Sequence, residues 1–324
     1  MHSESYFRTI IENELEKIEL DKHPVQLYNP IHYMINLGGK RLRPSILLMS
    51  HELFNGNPEQ LLKPALGIEI FHNFTLLHDD IMDKAPLRRS KETVHMKWNP
   101  NIAILSGDTM FVQSCQLMMN VQEEYLCDVL TIFLKTAIDV CEGQQSDMDF
   151  EKEENISIEN YLNMICKKTA SLIGCAMHIG ALCAGATEKD FSHMYEFGKN
   201  LGIAFQLHDD LLDVYGDSAK FGKQIGGDIL ANKKTFLLLT ALESAEGNNK
   251  MELLKWLNAK EYNPETKINA VISIYENLDI KNQTSEKMEN FFKKALNEFE
   301  AVNAPAIRKK PLMELAKKLM VREK

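Results

Sequence analysis

The sequence predicts an all-α protein that folds as a single domain over residues 1–324. Seven of its ten prolines lie at or before Pro100, and none lies between Pro100 and Pro264. That interval also lacks the alternating Val, Thr and Tyr runs and the Asn-Gly turns that are typical of β-strands. Apolar residues make up 44% and charged residues 26% of the chain, which indicates a globular protein with a packed core. No Pro- or Gly-rich linker indicates a second domain.

Four polar segments divide the proline-free interval into helices. Apolar residues recur at helical spacing between these segments. The predicted helices exceed the common length of about 11 or 12 residues, and short loops join them. The predicted breaks are EEYLCD near residue 123, EGQQSDMDFEKEEN after residue 142, GATEKD near residue 185 and YGDSAKFGKQIGGD near residue 215.

Two predicted helices, residues 66–83 and 199–215, are apolar nearly all round. A helix of this kind is buried at the centre of a bundle. Each carries a near-copy of one heptapeptide, since LHDDIMD at residues 77–83 and LHDDLLD at residues 207–213 agree at five of seven positions. An isolated ionised carboxylate is costly to bury, so these aspartates need compensating charge.

The spacing of the aspartates indicates their chemistry. Residues four apart lie on one helix face, so Asp79 and Asp83 share a face, as do Asp209 and Asp213. If the two helices face each other, four carboxylates point into one cavity, where they repel one another unless cations are present. Such oxygen ligands suit Mg²⁺, which also takes substrate phosphate oxygens. One DDxxD alone is more often a solvated helix end, but two near-identical copies favour a metal–diphosphate site.

An anionic substrate needs local positive charge, because the formal net charge of the chain is −9. No basic run resembles a nucleic-acid stripe, so nucleic acid is not an expected partner. Small basic groups near the aspartate helices supply the charge, and two glycines before the first group let backbone approach a phosphate. These groups are GGKRLRP at 38–44 with Lys40, Arg41 and Arg43, LRRSKETVH at 87–95 with Arg88 and Arg89, KKTAS at 167–171 with Lys168, and GKQIGGDILANKKT at 222–235 with Lys223 and Lys233.

Taken in order, these motifs resemble the trans-isoprenyl diphosphate synthase (polyprenyl synthetase) family. The resemblance is strong over roughly residues 35 to 240 and rests on GGKRLRP, HxxxLLHDDIMD with LRR, GDTMF, EGQQSD, KKTASL, and FQLHDDLLD with the following GK and NKKT. It implies the isoprenoid synthase fold, in which long helices surround a central cavity, and a homodimer packed through helices. It also implies a short-chain prenyltransferase that joins isopentenyl diphosphate to dimethylallyl, geranyl or farnesyl diphosphate.

The site roles of the family carry over to matching positions. The aspartates of both clusters would hold about three Mg²⁺ ions, with Mn²⁺ as a substitute, that bridge to the allylic diphosphate. The implied metal ligands are Asp79, Asp80, Asp83, Asp209, Asp210 and Asp213. The allylic diphosphate would be held by Arg88, Lys168, Gln206, Lys223 and Lys233, and the diphosphate of isopentenyl diphosphate by Lys40, Arg43, His72 and Arg89. His72 precedes Asp79, and Gln206 precedes Asp213, by seven residues, which is two helical turns.

The implied reaction needs no side-chain nucleophile. Diphosphate leaves when its growing charge is neutralised by Mg²⁺, lysines and an arginine in a water-poor cavity. The resulting allylic carbocation would be stabilised by the hydroxyl and carbonyl of Thr169, the carbonyl of Lys168 and the side chain of Gln206. The double bond of isopentenyl diphosphate then attacks, and a proton is lost to the departing diphosphate. The residues expected to be catalytic are Asp79, Asp83, Arg88, Lys168, Thr169, Gln206, Asp209 and Lys223.

Residues just before the first aspartate cluster are expected to set the length of the product. Phe74 and Thr75 precede Asp79 by five and four residues. At about 1.5 Å per residue, Phe74 lies about 7.5 Å along the helix from Asp79. A bulky ring there would stop elongation at C15 to C20, which is farnesyl or geranylgeranyl diphosphate. The alternatives are that Phe74 is core packing and that the product is a longer polyprenyl diphosphate.

Two positions depart from the family pattern, with Ser90 where glycine is usual and Glu92 where proline is usual. Both are expected in a loop, with altered mobility rather than lost activity. Three other functions remain open. A class I terpene cyclase normally carries an Asn/Ser/Glu metal motif in place of the second DDxxD. A non-catalytic synthase subunit would show degenerate aspartate clusters, and a structural divalent-ion protein leaves the basic groups unexplained.

The sequence predicts a cytoplasmic protein without stable membrane insertion. The first twenty residues are acidic and amphipathic, without the basic start and apolar run of a signal peptide. The longest apolar stretch, residues 171–186, includes Ser and His and is shorter than the roughly 20 residues of a membrane span. The six cysteines show no CxxC spacing and are expected to be reduced and mostly buried.

Overall fold

A computed structural model describes residues 1–19, 22–153, 155–216 and 226–321 of the chain. Within these ranges nearly all regular structure is helical, which confirms the all-α prediction. Between Pro100 and Pro264, three helices have 19, 25 and 28 residues, as the sequence predicts, whereas the other described helices of that interval have 12 residues or fewer and are shorter than predicted. The helices are α1 (Glu4–Glu16), α2 (Val25–Asn36), α3 (Leu42–Leu53), α4 (Leu62–Met82), α5 (Val94–Lys97), α6 (Pro100–Met118), α7 (Leu126–Phe150), α8 (Ile158–Ile165), α9 (Ser171–Leu182), α10 (Glu188–Tyr215), α11 (Gly227–Leu230), α12 (Phe236–Ser244), α13 (Gly247–Asn258), α14 (Pro264–Asn277), α15 (Ile280–Ala301) and α16 (Ala306–Met320).

Three kinds of short element join these helices. Single 3₁₀ turns lie at Pro58–Leu61 and Glu123–Tyr125, and a π-helical turn at Cys166–Ala170 connects α8 to α9. Strands β1 (Leu87–Arg88) and β2 (Lys91–Glu92) form one antiparallel pair.

Side-chain caps mark several helix starts. At the starts of α1, α8 and α12, the side-chain oxygens of Ser3, Ser157 and Thr235 each accept a hydrogen bond from the backbone N–H three residues later. Asn99 caps α6 in the same way at 2.9 Å, and Pro100 follows in the first turn, where its missing N–H has no helical partner to lose. Local sequence therefore determines where these helices begin.

One of the four predicted breaks begins later than predicted, since α7 ends at Phe150 and only the second part of EGQQSDMDFEKEEN lies between it and α8, which begins at Ile158. α7 continues to Phe150 through the polar segment EGQQSDMDF. Polar side chains of this helical segment pair with the π-helical turn, since Glu142 accepts a hydrogen bond from Lys167 and Asp147 pairs with Lys168. The breaks near residues 123 and 185 match a 3₁₀ turn and the gap between α9 and α10, and α10 ends at Tyr215 as predicted.

The chain divides into two compact units, called unit 1 and unit 2 below. Unit 1 comprises Met1–Ala137, Leu172–Tyr195 and Ala301–Leu315. Unit 2 comprises Ile138–Ser171, Glu196–Glu300 and the segment from Ala316 onward. A single domain over residues 1–324 stays a prediction.

In unit 1, α4 is a core helix that packs along α6. Phe71 is fully buried, with its ring 5.6 Å from that of Phe74, 6.0 Å from Phe111 and 5.3 Å from Phe133. Buried residues occur along α4 from Pro64 to Asp80. The prediction that this aspartate-bearing helix is buried nearly all round is confirmed.

In unit 2, the second aspartate-bearing helix, α10, joins two hydrophobic clusters. Ile203 and Leu207 pack among residues of α8 and α12, and Leu211 and Val214 pack among residues of α12 and α14. The prediction of a second core helix over residues 199–215 is therefore also confirmed. The second aspartate cluster lies on the same stretch of α10, where Asp209, Asp210 and Asp213 follow Leu207 and flank Leu211.

All six cysteines are free, but the expectation that they are mostly buried is wrong. Cys175 and Cys183 are buried, whereas Cys127 and Cys141 are exposed on α7. Across the described ranges, every helix is too short or too polar to span a lipid bilayer.

Candidate active site

The first aspartate cluster lies at the C-terminal end of α4 in unit 1. Asp79 is half-buried, Asp83 is the exposed C-cap residue, and Asp80 is buried. Both carboxylate oxygens of Asp80 accept from Arg88 Nε, at 2.9 and 2.8 Å, and Arg88 Nη2 lies 2.7 Å from Oδ1. Burial raises the pKa of Asp80, and the Arg88 guanidinium opposes that shift. Asp80 and Arg88, predicted for metal and allylic diphosphate respectively, therefore neutralise each other here.

Arg88 lies in a tight hairpin rather than in an irregular loop. Arg88 is the strand partner of Lys91 in the antiparallel pair. Arg89 and Ser90 between them therefore form a two-residue turn, with φ of +53° and +63°. Such a turn requires positive φ at both central positions, which favours glycine. Ser90 therefore occupies a position where glycine would fit more easily, and Glu92 lies in β2 rather than in a loop. Altered mobility of this segment stays a prediction.

The residues predicted for isopentenyl diphosphate gather in unit 1. Arg43 Nη1 donates to His72 Nε2 at 3.2 Å. Burial and the neighbouring guanidinium groups, Arg43 foremost, hold the pKa of His72 well below its usual range. A guanidinium can only donate, so Nε2 accepts and the ring proton of the neutral imidazole resides on Nδ1. The pair thus brings a guanidinium and a neutral imidazole, both of which carry N–H groups, next to each other, and Lys40 is exposed nearby in sequence.

Phe74 lies in an aromatic cluster on α4, N-terminal to the first aspartates. Its ring is 5.5 Å from that of Phe111 and 4.8 Å from the imidazole of His78. The hydroxyl of Thr75 donates to the carbonyl of His72 at 2.8 Å and is thereby committed to its own helix. Phe74 is half-buried, so core packing and a role in product length both fit its position.

In unit 2, Lys168 and Thr169 lie in the π-helical turn Cys166–Ala170. π-Helical turns interrupt the regular hydrogen-bond ladder and are frequent at functional sites. Lys168 Nζ lies 2.6 Å from Asp147 Oδ2, with both side chains largely buried. The turn therefore presents a lysine whose direction is set by a carboxylate on α7.

A chain of polar contacts links the π-helical turn to the second aspartate cluster. Thr169 Oγ1 donates to Gln206 Oε1 at 3.3 Å, and Gln206 Nε2 donates to Asp210 Oδ1 at 3.2 Å. The hydroxyl of Tyr161 donates to Asp210 Oδ2. Burial, followed by the charge of Asp228, raises the pKa of Asp210 to about 7 despite these two donors. Asp210 is thus a buried junction of side-chain hydrogen bonds.

The other two aspartates of the second cluster are half-buried. Asp213 Oδ2 accepts the backbone N–H of Asp228 at 2.9 Å, at the start of α11. The turn after α11 carries Lys233, whose backbone N–H donates to the carbonyl of Asp228 at 2.9 Å. Lys223, predicted for the allylic diphosphate, lies outside the described residues.

The carboxylates of the two clusters fit Mg²⁺ sites in which phosphate oxygens of the substrate complete the coordination. In each cluster the middle aspartate is buried among its own donors, and the outer two are more accessible. Within the described residues, no three His, Cys, Asp or Glu side chains are already gathered as a metal-binding group. Mg²⁺ commonly takes one or two carboxylates together with substrate phosphates and waters. Asp79 and Asp83, and likewise Asp209 and Asp213, can supply that number.

Sequence reasoning missed three residues around the π-helical turn. Asp147 pairs with Lys168, Tyr161 donates to Asp210, and Gly143 allows α7 to touch the backbone of Lys168. Gly143 and Asp147 fall in EGQQSD, a motif whose place in the family order pointed to the site without assigning roles. Tyr161 carries no such signal, because its contact with Asp210 spans 49 residues.

Comparison with known proteins agrees with these motifs. The family model described as Polyprenyl synthetase matches residues 24–275. A geranylgeranyl diphosphate synthase of Sulfolobus acidocaldarius is 37% identical over 309 residues, which cover 93% of this chain and 92% of that protein. A short chain isoprenyl diphosphate synthase of Methanothermobacter thermautotrophicus is 36% identical over 257 residues, covering 79% and 78%. A crystal structure of a geranylgeranyl pyrophosphate synthase matches with a TM-score of 0.94 and 41% identity over 100% of both chains.

Proposed function

We propose, because the chain belongs to the polyprenyl synthetase family, that it is a short-chain prenyltransferase that joins isopentenyl diphosphate to an allylic diphosphate. The observation that carries this function is the contact between Arg43 and His72 beside the first aspartate cluster. A neutral imidazole held by a guanidinium provides donors for a second diphosphate, which a cyclase of a single substrate does not need. We expect a C15 to C20 product.

The chain's residues divide the work of the reaction. Arg43, His72, Lys40 and Arg89 would bind and orient the diphosphate of isopentenyl diphosphate through charged or strong donors. On the allylic substrate, the C–O bond breaks and its electron pair leaves with the diphosphate. The double bond of isopentenyl diphosphate supplies the electron pair of the new C–C bond. The cation formed by this addition then loses a proton to the released diphosphate, and the new double bond forms.

The π-helical turn would support the allylic cation. Thr169 and Gln206 are hydrogen-bonded to each other, so their oxygen dipoles have a fixed direction. Fixed dipoles stabilise developing charge without reorganisation. Lys168, held by Asp147, would bind the departing diphosphate.

We propose Mg²⁺ as the cofactor, about three ions with Mn²⁺ as a substitute, held by the carboxylates of the two clusters. When bound, Mg²⁺ neutralises charge on the leaving diphosphate. The metal roles of all six aspartates stay predictions, as does the expectation that both clusters face one cavity. A cytoplasmic location also stays a proposal, supported by the six free cysteines.

A product assay tests the proposed function. The protein is incubated with Mg²⁺, labelled isopentenyl diphosphate and each of dimethylallyl, geranyl and farnesyl diphosphate, and the products are sized by chromatography. We expect incorporation with at least one starter and a product of C15 to C20. Absence of incorporation from all three starters contradicts the synthase function and supports a non-catalytic subunit. Release of a hydrocarbon from an allylic diphosphate alone would support a cyclase, and longer products a polyprenyl diphosphate synthase.

Phe74→Ala is expected to lengthen the main product by one or two five-carbon units. The substitution removes a half-buried ring between Phe111 and His78 and opens space below the first aspartates. Product length is measured by chromatography after removal of the diphosphate. Phe133→Leu is the matched control, because Phe133 is a buried ring of the same unit that contacts Phe71. It should lower stability without changing the product, and an unchanged product with Phe74→Ala would assign Phe74 to core packing.

We also propose that the protein is a homodimer, which an apolar stripe on α6 supports. Leu105 and Val112 of α6, and Met119 at its C-cap, recur every seven residues and are 59%, 57% and 53% exposed. Side chains at this spacing lie close to one face of a helix, as in helix–helix interfaces. Val112→Glu is expected to convert the dimer to monomer, measured by light scattering after gel filtration. Ile307→Glu, at an exposed apolar residue of α16, should leave the dimer intact, and a dimer that survives Val112→Glu rules out this stripe as the interface.

A further inference from the structure

Arg41 differs from the two other basic residues of GGKRLRP. It is 6% exposed, whereas Lys40 is exposed and Arg43 is half-buried. Arg41 Nη1 donates to Glu69 Oε1 at 2.6 Å, and Nη2 donates to the carbonyl of Ile35 at 2.8 Å. Its guanidinium is therefore committed to protein partners, although its neighbours in sequence are expected to bind an anion.

The backbone of Arg41 is held in an unusual conformation. Its φ is +47°, in the left-handed region that residues other than glycine rarely adopt, and it precedes α3 directly. Its carbonyl accepts from both the backbone N–H and the hydroxyl of Ser45, at 3.2 and 2.7 Å. Strained backbone persists where surrounding contacts over-determine it, and here they connect α2, α3 and α4.

Glu69 is the centre of the same network on α4. It is 3% exposed and accepts from Asn73 Nδ2 at 3.1 Å as well as from Arg41. His72, the imidazole that contacts Arg43, lies on the same helix three residues after Glu69. The network thus joins the turn that carries Lys40, and the start of α3 that carries Arg43, to the part of α4 that carries His72.

The turn also touches Arg89, another residue predicted for isopentenyl diphosphate. A Cβ at Gly39, whose φ is +152°, would lie 3.0 Å from Arg89 Nη2. The charges of Arg41 and Glu69 act in opposite directions on the pKa of Arg89, which burial lowers. The conformation of this turn therefore sets the environment of several candidate donors together.

Stability alone does not explain a buried ion pair. Removing two charges from water is costly, and replacing such a pair with apolar residues of similar volume is often neutral or stabilising. We propose that Arg41 and Glu69 are positioning residues for the second substrate, which hold the left-handed turn and α4 so that Lys40, Arg43 and His72 converge on one diphosphate. This inference rests on the proposed function, because it concerns the same site.

A double substitution separates positioning from stability. Arg41→Met and Glu69→Leu are each expected to lower the Tm, because each leaves one buried charge unpaired. The double variant Arg41→Met/Glu69→Leu should regain most of the Tm. Its Kd for isopentenyl diphosphate, measured by calorimetry, should remain about tenfold above wild type, the effect of one displaced charge-assisted hydrogen bond. Its KM for the allylic substrate should change less than twofold.

Ser50→Ala is the matched control, since this buried hydroxyl of α3 donates to the carbonyl of Met177. It should lower the Tm and leave the Kd for isopentenyl diphosphate unchanged. If the double variant does not fold, Glu69→Gln removes the charge while keeping the shape, and the same rise in Kd is expected.

A wild-type Kd in the double variant, or an equal rise for both substrates, overturns the positioning role. Lack of isopentenyl diphosphate binding by the wild-type protein overturns it as well. Wild-type binding without turnover counts against the proposed reaction, while the Kd comparison still decides the role of Arg41 and Glu69.

Discussion

Asp79→Asn is expected to lower kcat by about a thousandfold. Asp79 is half-buried one turn from Asp83, and its carboxylate is among those proposed to hold Mg²⁺. A metal ion contributes several kcal/mol to neutralising a leaving group, and each ~1.4 kcal/mol changes the rate tenfold, so partial loss of the metal gives this effect. The amide keeps the shape of the side chain but removes its charge. Initial rates at saturating substrates measure kcat, and a magnesium titration should show half-maximal activity at a higher concentration.

Asp108→Asn is the control for this substitution. Asp108 is an exposed aspartate of α6 in the same unit, so losing its charge should leave kcat and the magnesium titration unchanged. A second comparison, Asp80→Asn, should behave differently from Asp79→Asn. Asp80 is buried against Arg88, so its substitution leaves a guanidinium without its bidentate partner and should lower the Tm as well as kcat. A kcat within threefold of wild type for Asp79→Asn would contradict the metal role.

Gly143→Ala is expected to lower kcat by about a hundredfold and stability by about 1 to 3 kcal/mol. A Cβ at Gly143 would lie 2.3 Å from the backbone nitrogen of Lys168, 2.7 Å from its Cα and 2.9 Å from its Cβ. Backbone atoms cannot swing aside as a flexible side chain does, so α7 and the π-helical turn must separate. Lys168 and Thr169 would then move by a distance on the order of 1 Å, which is enough to misplace catalytic groups.

Two measurements distinguish misplacement from unfolding. Thermal unfolding should show a folded Gly143→Ala protein with a lowered Tm, and kcat should fall more than the KM for isopentenyl diphosphate rises, since the residues proposed for that substrate belong to unit 1. Thr131→Ala, at an exposed position of α7, should match wild type in both respects. A Gly143→Ala enzyme with wild-type kcat would show that the close approach is not needed for catalysis.

Sequence periodicity predicted the helical class and the two buried aspartate helices, and it misjudged one segment. EGQQSDMDF is polar and contains glycine, which indicates a break when the segment is considered alone. In the structure it continues α7, and its Glu142 and Asp147 pair with lysines of the π-helical turn. Those partners lie 25 and 21 residues away, beyond the reach of a local pattern.

The sequence by itself determined the chemistry available to this protein. The sequence shows two DDxxD clusters on apolar helices, with basic groups in a fixed order around them. These features are visible without the fold, and they indicate Mg²⁺ and diphosphate. Only the tertiary structure decided how these groups are used. It pairs Asp80 with Arg88, commits Arg41 to Glu69 and makes Asp210 a junction for Tyr161 and Gln206. The physical reason is that burial and charge pairing depend on which helices pack together, so a motif reveals a carboxylate but not the donor that will neutralise it.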